Sequence, residues 1–217
     1  MMEPFRLCVA LTPLAIYMIA VALMNFRRRP VVVSGSRDLA SLGLGVSGLL
    51  LVGPIELLLP QMPAEIMGYV WIFVAVLYCL LLTLGVLLTA PRIIVYNVTL
   101  DQLRPALADA VDDLDPDARW AGGSVALPKL HVECFLEEHP SVRNVSLIAT
   151  ATPQSYSGWR SLERTLRGRL RESVETSPSI WGFGVLMAAL GIVGRMGWLA
   201  YSRPQEITQG FQEMMRF

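Results

Sequence analysis

The stretch GLGVSG, from Gly43 to Gly48, has the glycine spacing of a dinucleotide-binding loop. Such a loop joins a strand to a helix whose amino terminus faces the pyrophosphate. Here no strand is predicted before the stretch, which lies inside an uninterrupted apolar run where a phosphate would not be solvated. We therefore expect no nucleotide and no other cofactor. Small residues at these spacings instead let a second helix approach closely.

A similar set of small residues occurs in the last apolar run, which predicts a close helix pair within one chain or between two copies. The residues predicted to pack helices are Ser41, Gly43, Gly45 and Gly48 in the first set and Gly184, Ala188, Gly191 and Gly194 in the second. The pattern also predicts protein partners, or a homo-oligomer formed through the glycine-lined helices.

Two charged residues lie inside long apolar runs, where burying an unpaired charge is costly. Glu56 and Arg195 both fall near the outer ends of their runs, so an ion pair between them is geometrically allowed. Separate contact of each side chain with lipid headgroups is the simpler alternative. A proton or ion pathway is a third, since Pro54 and Pro60 flank Glu56 and broken helices form many transport sites.

The segment HVECFLEEH, from His131 to His139, contains side chains that bind metal ions in other proteins. In a strand, however, His131 and Glu133 share one face and Cys134 points to the other, so the spacing does not fit a zinc site. The chain has two histidines and three cysteines without paired spacing, and no catalytic set can be assembled from them. We therefore expect no metal site and no catalytic residues.

The composition places the chain among membrane proteins. Of its 217 residues, 53% are hydrophobic and 17% are charged, and the mean hydropathy is +0.49, whereas soluble domains contain about a quarter charged residues. Four apolar runs have the roughly 20 residues that a helix needs to cross the hydrocarbon. Residues 7–26, 39–59, 66–90 and 180–201 are thus predicted to be transmembrane helices.

The orientation follows from arginine, because positive residues in short loops stay on the cytoplasmic side. The loop after the first span carries four arginines, whereas the loop PQMPAE after the second carries none. These arginines are Arg27, Arg28, Arg29 and Arg37. The amino and carboxyl termini are therefore predicted to be outside, residues 91–178 cytoplasmic, and the end of the chain a short external tail.

Residues 91–178 are the only segment long enough for a water-soluble domain. RIIVYNV predicts a strand, and Thr99 with Gln102 forms a capping box for the next helix, although Pro105 leaves its start open. Three strand-like stretches follow, RWAGGSVAL, KLHVECFLE and RNVSLIATA. A second helix is predicted after them, over about 156–175. We predict a small α+β (βαβββα) domain with both helices on one side of a mostly antiparallel sheet, and parallel pairing of the first strand is compatible with the intervening helix.

The complete prediction is an α+β membrane protein. Residues 1–90 contain three transmembrane helices, residues 91–178 form the cytoplasmic domain inserted between the third and fourth helices, and residues 179–217 contain the fourth helix and the tail.

The second domain helix carries a basic stripe formed by Arg160, Arg164, Arg167 and Arg171. One interpretation is contact with anionic lipid, which attracts juxtamembrane arginine by about 1 kcal/mol per residue. The alternatives are a solvated face with helical ion pairs, or contact with the aspartates of the first domain helix. The segment has 10 basic and 12 acidic residues, so no nucleic-acid partner is expected.

Two functions from different classes are compatible with these features. The first is a non-catalytic integral membrane subunit or adaptor that presents a small cytoplasmic interaction domain at the membrane surface. The alternative is a small transport or lipid-handling membrane protein that uses Glu56 and Arg195. Recovery of a stoichiometric protein partner would favour the first function.

Overall fold

The computed structural model describes residues 4–58, 64–150, 153–173, 176 and 179–214. Within these residues the chain is α+β, with seven α-helices and a six-stranded antiparallel sheet. The chain divides into two compact units. The helical unit comprises the chain up to Val21, the segment Leu39–Leu87 and the chain from Gly184 onward. The sheet unit comprises Ala22–Asp38 and Leu88–Phe183.

The elements are numbered in chain order. The helices are α1 (Pro4–Phe26), α2 (Gly35–Leu58), α3 (Ala64–Leu88), α4 (Leu100–Leu114), α5 (Tyr156–Ser173), α6 (Ile180–Ser202) and α7 (Pro204–Met214). The strands are β1 (Val31–Ser34), β2 (Arg92–Tyr96), β3 (Arg119–Ala121), β4 (Ser124–Leu127), β5 (Val132–His139) and β6 (Asn144–Ala149). Single 3-10 turns precede β5 and β6.

Three helices are long and apolar enough to cross a membrane: Pro4–Phe26, Tyr69–Leu88 and Ile180–Ser202. Large apolar side chains on them point outward, and Phe73 of α3, for example, is 65% exposed. A soluble fold would bury such side chains, whereas lipid accommodates them. These helices match the first, third and fourth predicted spans. The second predicted span falls on α2, which is not among the three, so a fourth crossing stays a prediction.

The segment after the last apolar helix, predicted as a short tail, contains a further helix, α7. Gly210 of α7 lies against the start of α1, because a Cβ added to it would come within 2.7 Å of the Phe5 Cβ. The rings of Phe211 and Phe5 meet edge to face, with their centroids 6.2 Å apart. Helix α7 therefore packs against the beginning of α1.

The sheet has the strand order β1-β2-β6-β5-β4-β3, and each neighbouring pair is antiparallel. Strand β1 lies in the arginine-containing loop before α2 and pairs with β2, with Val32 opposite Val95. A strand therefore does precede GLGVSG, contrary to our expectation. About two turns of α2 separate β1 from Gly43, so the strand does not lead directly into the glycines.

Two further differences from the predicted domain concern strand count and direction. The stretch RWAGGSVAL forms two strands rather than one, because the Gly122–Gly123 turn folds β3 back onto β4. Gly122 has a φ of 60°, which glycine adopts without a steric penalty. The parallel pairing considered for the first domain strand is absent from the sheet described, since β2 is antiparallel to both of its neighbours.

The core of the sheet unit lies between one face of the sheet and the helices α4 and α5. Alternate residues of the strands enter this core, as expected for a sheet with one covered face. Apolar residues at helical spacing in both helices are buried in it, and five of them are at most 1% exposed: Leu103, Leu107, Leu162, Leu166 and Leu170. Both domain helices thus lie on one side of the sheet, as predicted.

Helix α4 begins at Leu100 and continues through Pro105, which settles the start of this helix. The Thr99 N–H donates to Gln102 Oε1 at 3.3 Å, as the capping-box pattern predicts. Pro105 has no N–H to donate to the carbonyl of Asp101. Both residues are exposed, so water can take the place of that hydrogen bond.

Candidate functional site

Four buried polar residues surround the place where α1 ends, β2 ends and the chain enters α6. They are Asn25, Asn97, Thr176 and Ser179, and each is at most 6% exposed. We call these four residues the polar junction. Buried polar groups need hydrogen bonds that replace those they would make with water. The partners of these residues therefore show what the junction holds together.

Asn97 is the centre of the polar junction. It is fully buried, follows β2 directly and has a φ of 59°. Asparagine adopts this left-handed conformation more easily than most residues. Its Nδ2 atom donates hydrogen bonds of 2.9 Å to the Arg27 carbonyl and to Thr176 Oγ1. One side chain thus joins the end of β2 to the segment after α1 and to the segment before α6.

Backbone hydrogen bonds complete the polar junction. The Thr176 N–H donates to the Arg28 carbonyl at 2.8 Å, and the Ser179 N–H donates to the Asn25 carbonyl at 3.3 Å. The residues that end α1 and those that begin α6 are therefore bonded to each other as well as to Asn97.

Strand β1 is held at both edges. One edge pairs with β2, and at the other the Arg167 guanidinium of α5 donates to the Val32 carbonyl at 3.0 Å. This bond satisfies a group that an edge strand would otherwise leave unpaired. Beyond β1, the Tyr96 hydroxyl at the end of β2 donates to the carboxylate of Asp38 in the first turn of α2. The start of α2 is thereby tied to the end of β2.

Two of the glycines predicted to pack helices in α2 lie against α1. A Cβ added to Gly45 would lie 2.7 Å from the Tyr17 Cβ, and one added to Gly48 would lie 2.9 Å from the Val9 carbonyl oxygen. Neither position has room for a side chain without movement of α1.

Gly43 faces a different helix, α3. A Cβ added to it would lie 3.2 Å from the Leu82 Cγ and closer still to the Leu82 methyl carbons. The Tyr78 hydroxyl, one turn earlier on α3, donates to the Gly43 carbonyl. Ser41, the remaining member of this set, is exposed.

The small residues of α6 have open surroundings. At Gly184, Gly191 and Gly194 an added Cβ would meet no described atom within 4 Å, and Ala188 is exposed. Within the described chain, the predicted close pair of α2 and α6 is therefore not formed through these residues. Contact between this face of α6 and a second chain stays a prediction.

The two charges predicted to lie within the membrane, Glu56 and Arg195, are not brought together by any described contact. Arg195 is exposed on α6. The Glu56 side chain lies outside the described part of the structure, so its pairing with Arg195 stays a prediction.

The basic stripe of α5 is partly engaged within the sheet unit. Besides its bond to β1, Arg167 donates to Glu163 at 2.7 Å, the helical ion pair considered above. The Arg160 guanidinium lies over the Tyr156 ring, 5.5 Å from its centroid. The other two members of the stripe, Arg164 and Arg171, are exposed.

One arginine beside the stripe joins the two domain helices. Arg169 of α5 pairs with Asp113 of α4, and the hydrogen bond to that carboxylate raises the pKa of Arg169. The charge complementarity considered between α4 and α5 is therefore present at this pair.

The side chains of HVECFLEEH point to two faces, as the strand pattern predicts. Glu133 is exposed, whereas Cys134 is buried on the core face. Burial raises the pKa of the Cys134 thiol to about 12, so it is protonated at neutral pH. The other cysteines, Cys8 and Cys79, lie in α1 and α3.

A shallow pocket lies at the free edge of the sheet, beside β3. Trp120 and Leu136 line it together with Arg104, Ala108 and the Gly122–Gly123 turn. Trp120 is 44% exposed, and so is Phe135, which lies on the opposite face of the sheet. Apolar side chains that are exposed singly are common on protein surfaces, whereas a contiguous apolar patch marks a surface that binds a partner.

The sequence pattern did not indicate the polar junction. Asn97 follows a β-branched strand and precedes a helix cap, a position where a residue with positive φ is common, and this was the available signal. For β1, the signal was the short run VVVS after Pro30. Nothing local in the sequence identifies Thr176 or Ser179 as partners, because their contacts join distant segments.

Comparison of the chain with protein-family models, with curated proteins and with solved structures gives no match.

Proposed function

We propose that the chain is a non-catalytic integral membrane subunit or adaptor whose sheet unit is a cytoplasmic interaction domain held at the membrane surface. The observation that carries this proposal is the composition of the sheet unit. Strand β1 of this unit lies in the chain between α1 and α2, and strands β2–β6 lie between α3 and α6. The polar junction is formed by segments next to α1 and α6.

The pairing of β1 with β2 supports four membrane crossings. The two strands belong to one sheet, so the segments that contain them lie on the same side of any membrane. The chain between them must then cross an even number of times. Helix α3 is long and apolar enough for one crossing, and α2 is the only other described helix between the two strands. A crossing by α2 is therefore required if α3 crosses.

Two contacts support the proposal that both chain termini lie on the side of the membrane opposite to the sheet. The end of α1 and the start of α6 meet at the polar junction, on the side of the sheet. Each of these helices crosses once from there, which puts its far end across the membrane. Independently, Phe5 at the far end of α1 contacts Phe211 of α7, which follows α6. The four arginines of the β1 loop support a cytoplasmic position of the sheet.

An interaction role fits the exposed chemistry of the sheet unit better than catalysis. The pocket beside β3 contains one ionisable side chain, Arg104, next to Trp120 and apolar carbon. This lining suits an apolar side chain of a protein partner.

Cysteine labelling tests the topology. Ser141→Cys in the exposed turn between β5 and β6, and Gln209→Cys in α7, would be treated with a membrane-impermeant maleimide in intact cells. We expect labelling of Gln209→Cys in intact cells and of Ser141→Cys only after permeabilisation. Labelling of both from the same side would contradict the topology. Detergent-solubilised samples of both variants provide the control for reactivity.

Copurification tests the interaction role. In mild detergent, a stoichiometric protein partner is expected, and Trp120→Ala, which removes the aromatic wall of the pocket, should remove it. Tyr156→Ala is the matched control, because Tyr156 is an exposed aromatic residue on α5 rather than at β3. Recovery of the chain by itself, with transport or lipid transfer that depends on Glu56 and Arg195, would favour the alternative function.

A further inference from the structure

We propose that Arg27, Arg28, Arg29 and Arg37 bind the phosphate-bearing headgroups of anionic phospholipids. We call these four residues the arginine collar. The inference rests on the proposed function, because it requires that α1 crosses a membrane and that the sheet unit lies at its surface.

The collar residues lie in the stretch of chain from the end of α1 to the first turn of α2. All four are exposed, and Arg27 directly follows α1, a helix long and apolar enough to cross a membrane. Among the described residues, none of the four guanidinium groups forms an ion pair. The nearest carboxylate in sequence, Asp38, accepts the Tyr96 hydroxyl. These four charges are therefore free to bind an external anion.

The polar junction fixes the backbone that carries the collar. The Arg27 carbonyl accepts from the buried Asn97 side chain at 2.9 Å, and the Arg28 carbonyl accepts from the Thr176 N–H at 2.8 Å. Strand β1 and its bond to Arg167 hold the chain a few residues later. A fixed backbone reduces the entropy that is lost when the side chains bind.

Arginine suits this ligand because its planar guanidinium presents paired donors that match phosphate oxygens. Near an anionic membrane surface, each arginine strengthens binding by about fivefold. Three arginines that act together should then change the affinity by on the order of a hundredfold.

The guanidinium groups of the collar are less engaged in contacts within the chain than those of the basic stripe of α5. Arg167 is bonded to Val32 and Glu163, and Arg160 lies over Tyr156. Only Arg164 and Arg171 of the stripe are left without such a partner among the described contacts. The stripe therefore provides a matched set of exposed arginines in the same chain.

The test uses the full chain, purified in a neutral detergent, with phosphatidylglycerol or phosphatidylcholine added and bound lipid measured by native mass spectrometry. We expect selective binding of phosphatidylglycerol. The variant Arg27→Gln/Arg28→Gln/Arg29→Gln should lose at least tenfold in affinity, and Arg160→Gln/Arg164→Gln/Arg171→Gln should change it less than twofold. An equal loss of affinity in both variants, or no loss in the first, would overturn the proposal that the arginine collar binds the lipid.

Two further measurements keep the result interpretable. The variant Arg27→Lys/Arg28→Lys/Arg29→Lys retains the charge that sets topology, and we expect an intermediate loss of affinity because the paired donors are absent. Glycerol phosphate without lipid should not displace phosphatidylglycerol, and displacement at equal concentration would overturn the assignment to lipid. Release of the native chain from membranes by alkaline carbonate would reject the proposed function itself, whereas a retained chain without lipid preference would reject the collar alone.

Discussion

Replacing Asn97 by alanine should destabilise the sheet unit, because this side chain joins three segments of the polar junction. The change removes the two 2.9 Å hydrogen bonds to the Arg27 carbonyl and Thr176 Oγ1, which contribute together about 2 kcal/mol. Alanine at the left-handed φ of 59° costs about 1 kcal/mol more than asparagine.

One effect of the substitution raises the free energy of unfolding. The Asn97 Oδ1 atom is buried without a hydrogen-bond partner among the described residues, and its removal recovers about 1 kcal/mol. The expected net loss of unfolding free energy is therefore about 2 kcal/mol. With a urea dependence of about 2 kcal/mol per molar, the unfolding midpoint should fall by about 1 M.

The measurement is urea pulse proteolysis of the full chain in mild detergent, with cleavage of the sheet unit followed on a gel. Asn97→Gly is the matched control, since glycine accepts the left-handed φ without strain and loses only the hydrogen bonds. Its midpoint should lie between those of the native chain and Asn97→Ala. An unchanged midpoint for Asn97→Ala would refute the role given to this side chain.

A double-mutant cycle isolates the bond between Asn97 and Thr176. Thr176→Val removes the acceptor hydroxyl but keeps the branched shape. Combined with Asn97→Ala, its effect should be less than additive by at least about 0.5 kcal/mol, because both changes break the same bond. Additive losses would mean that the two side chains stabilise the junction independently.

Two other predictions concern each unit separately. Gly48→Ala should lower the thermal stability of the detergent-solubilised chain by about 1–3 kcal/mol, because the added methyl overlaps the Ala10 carbonyl. Gly53→Ala should not, since no described atom lies within 4 Å of an added Cβ there, and equal losses would contradict the packing of α2 on α1. The hydrogen bond from Lys129 lowers the pKa of Asp117, so this pair stabilises the fold above the unfolded-state pKa of about 4 and loses its effect as pH falls through the folded value. Lys129→Met should return the pKa of Asp117 toward its ordinary value in an NMR titration, and an unchanged titration would contradict the pairing.

The features that the sequence predicts well are those fixed by local patterns. In α5, Leu162, Leu166 and Leu170 recur at helical spacing, and all three residues are buried, as that spacing predicts. The capping pair Thr99 and Gln102 is close in sequence, and its hydrogen bond is present. In each case, neighbouring residues alone determine the structure.

The features that the sequence does not predict depend on distant partners. Strand β1 has four residues, and its partner β2 follows only after α2 and α3. The glycines of α2 indicate that another helix approaches, but their spacing does not say which one. Gly45 contacts Tyr17 of α1 and Gly43 contacts Leu82 of α3, and these partners depend on the arrangement of the whole helical unit.

Strand β1 also changes where the sheet domain begins. A fragment of residues 91–178 would lack Val32, which belongs to the core, and the Arg27 carbonyl, which Asn97 binds. It would also leave the outer edge of β2 unpaired, an arrangement that promotes aggregation. The loop whose arginines predict the cytoplasmic side is thus part of the sheet unit itself. Under the proposed topology, β1 can pair with β2 only when the start of α2 and the end of α3 lie on the same side of the membrane. Folding of the sheet unit then depends on correct insertion of the preceding helices.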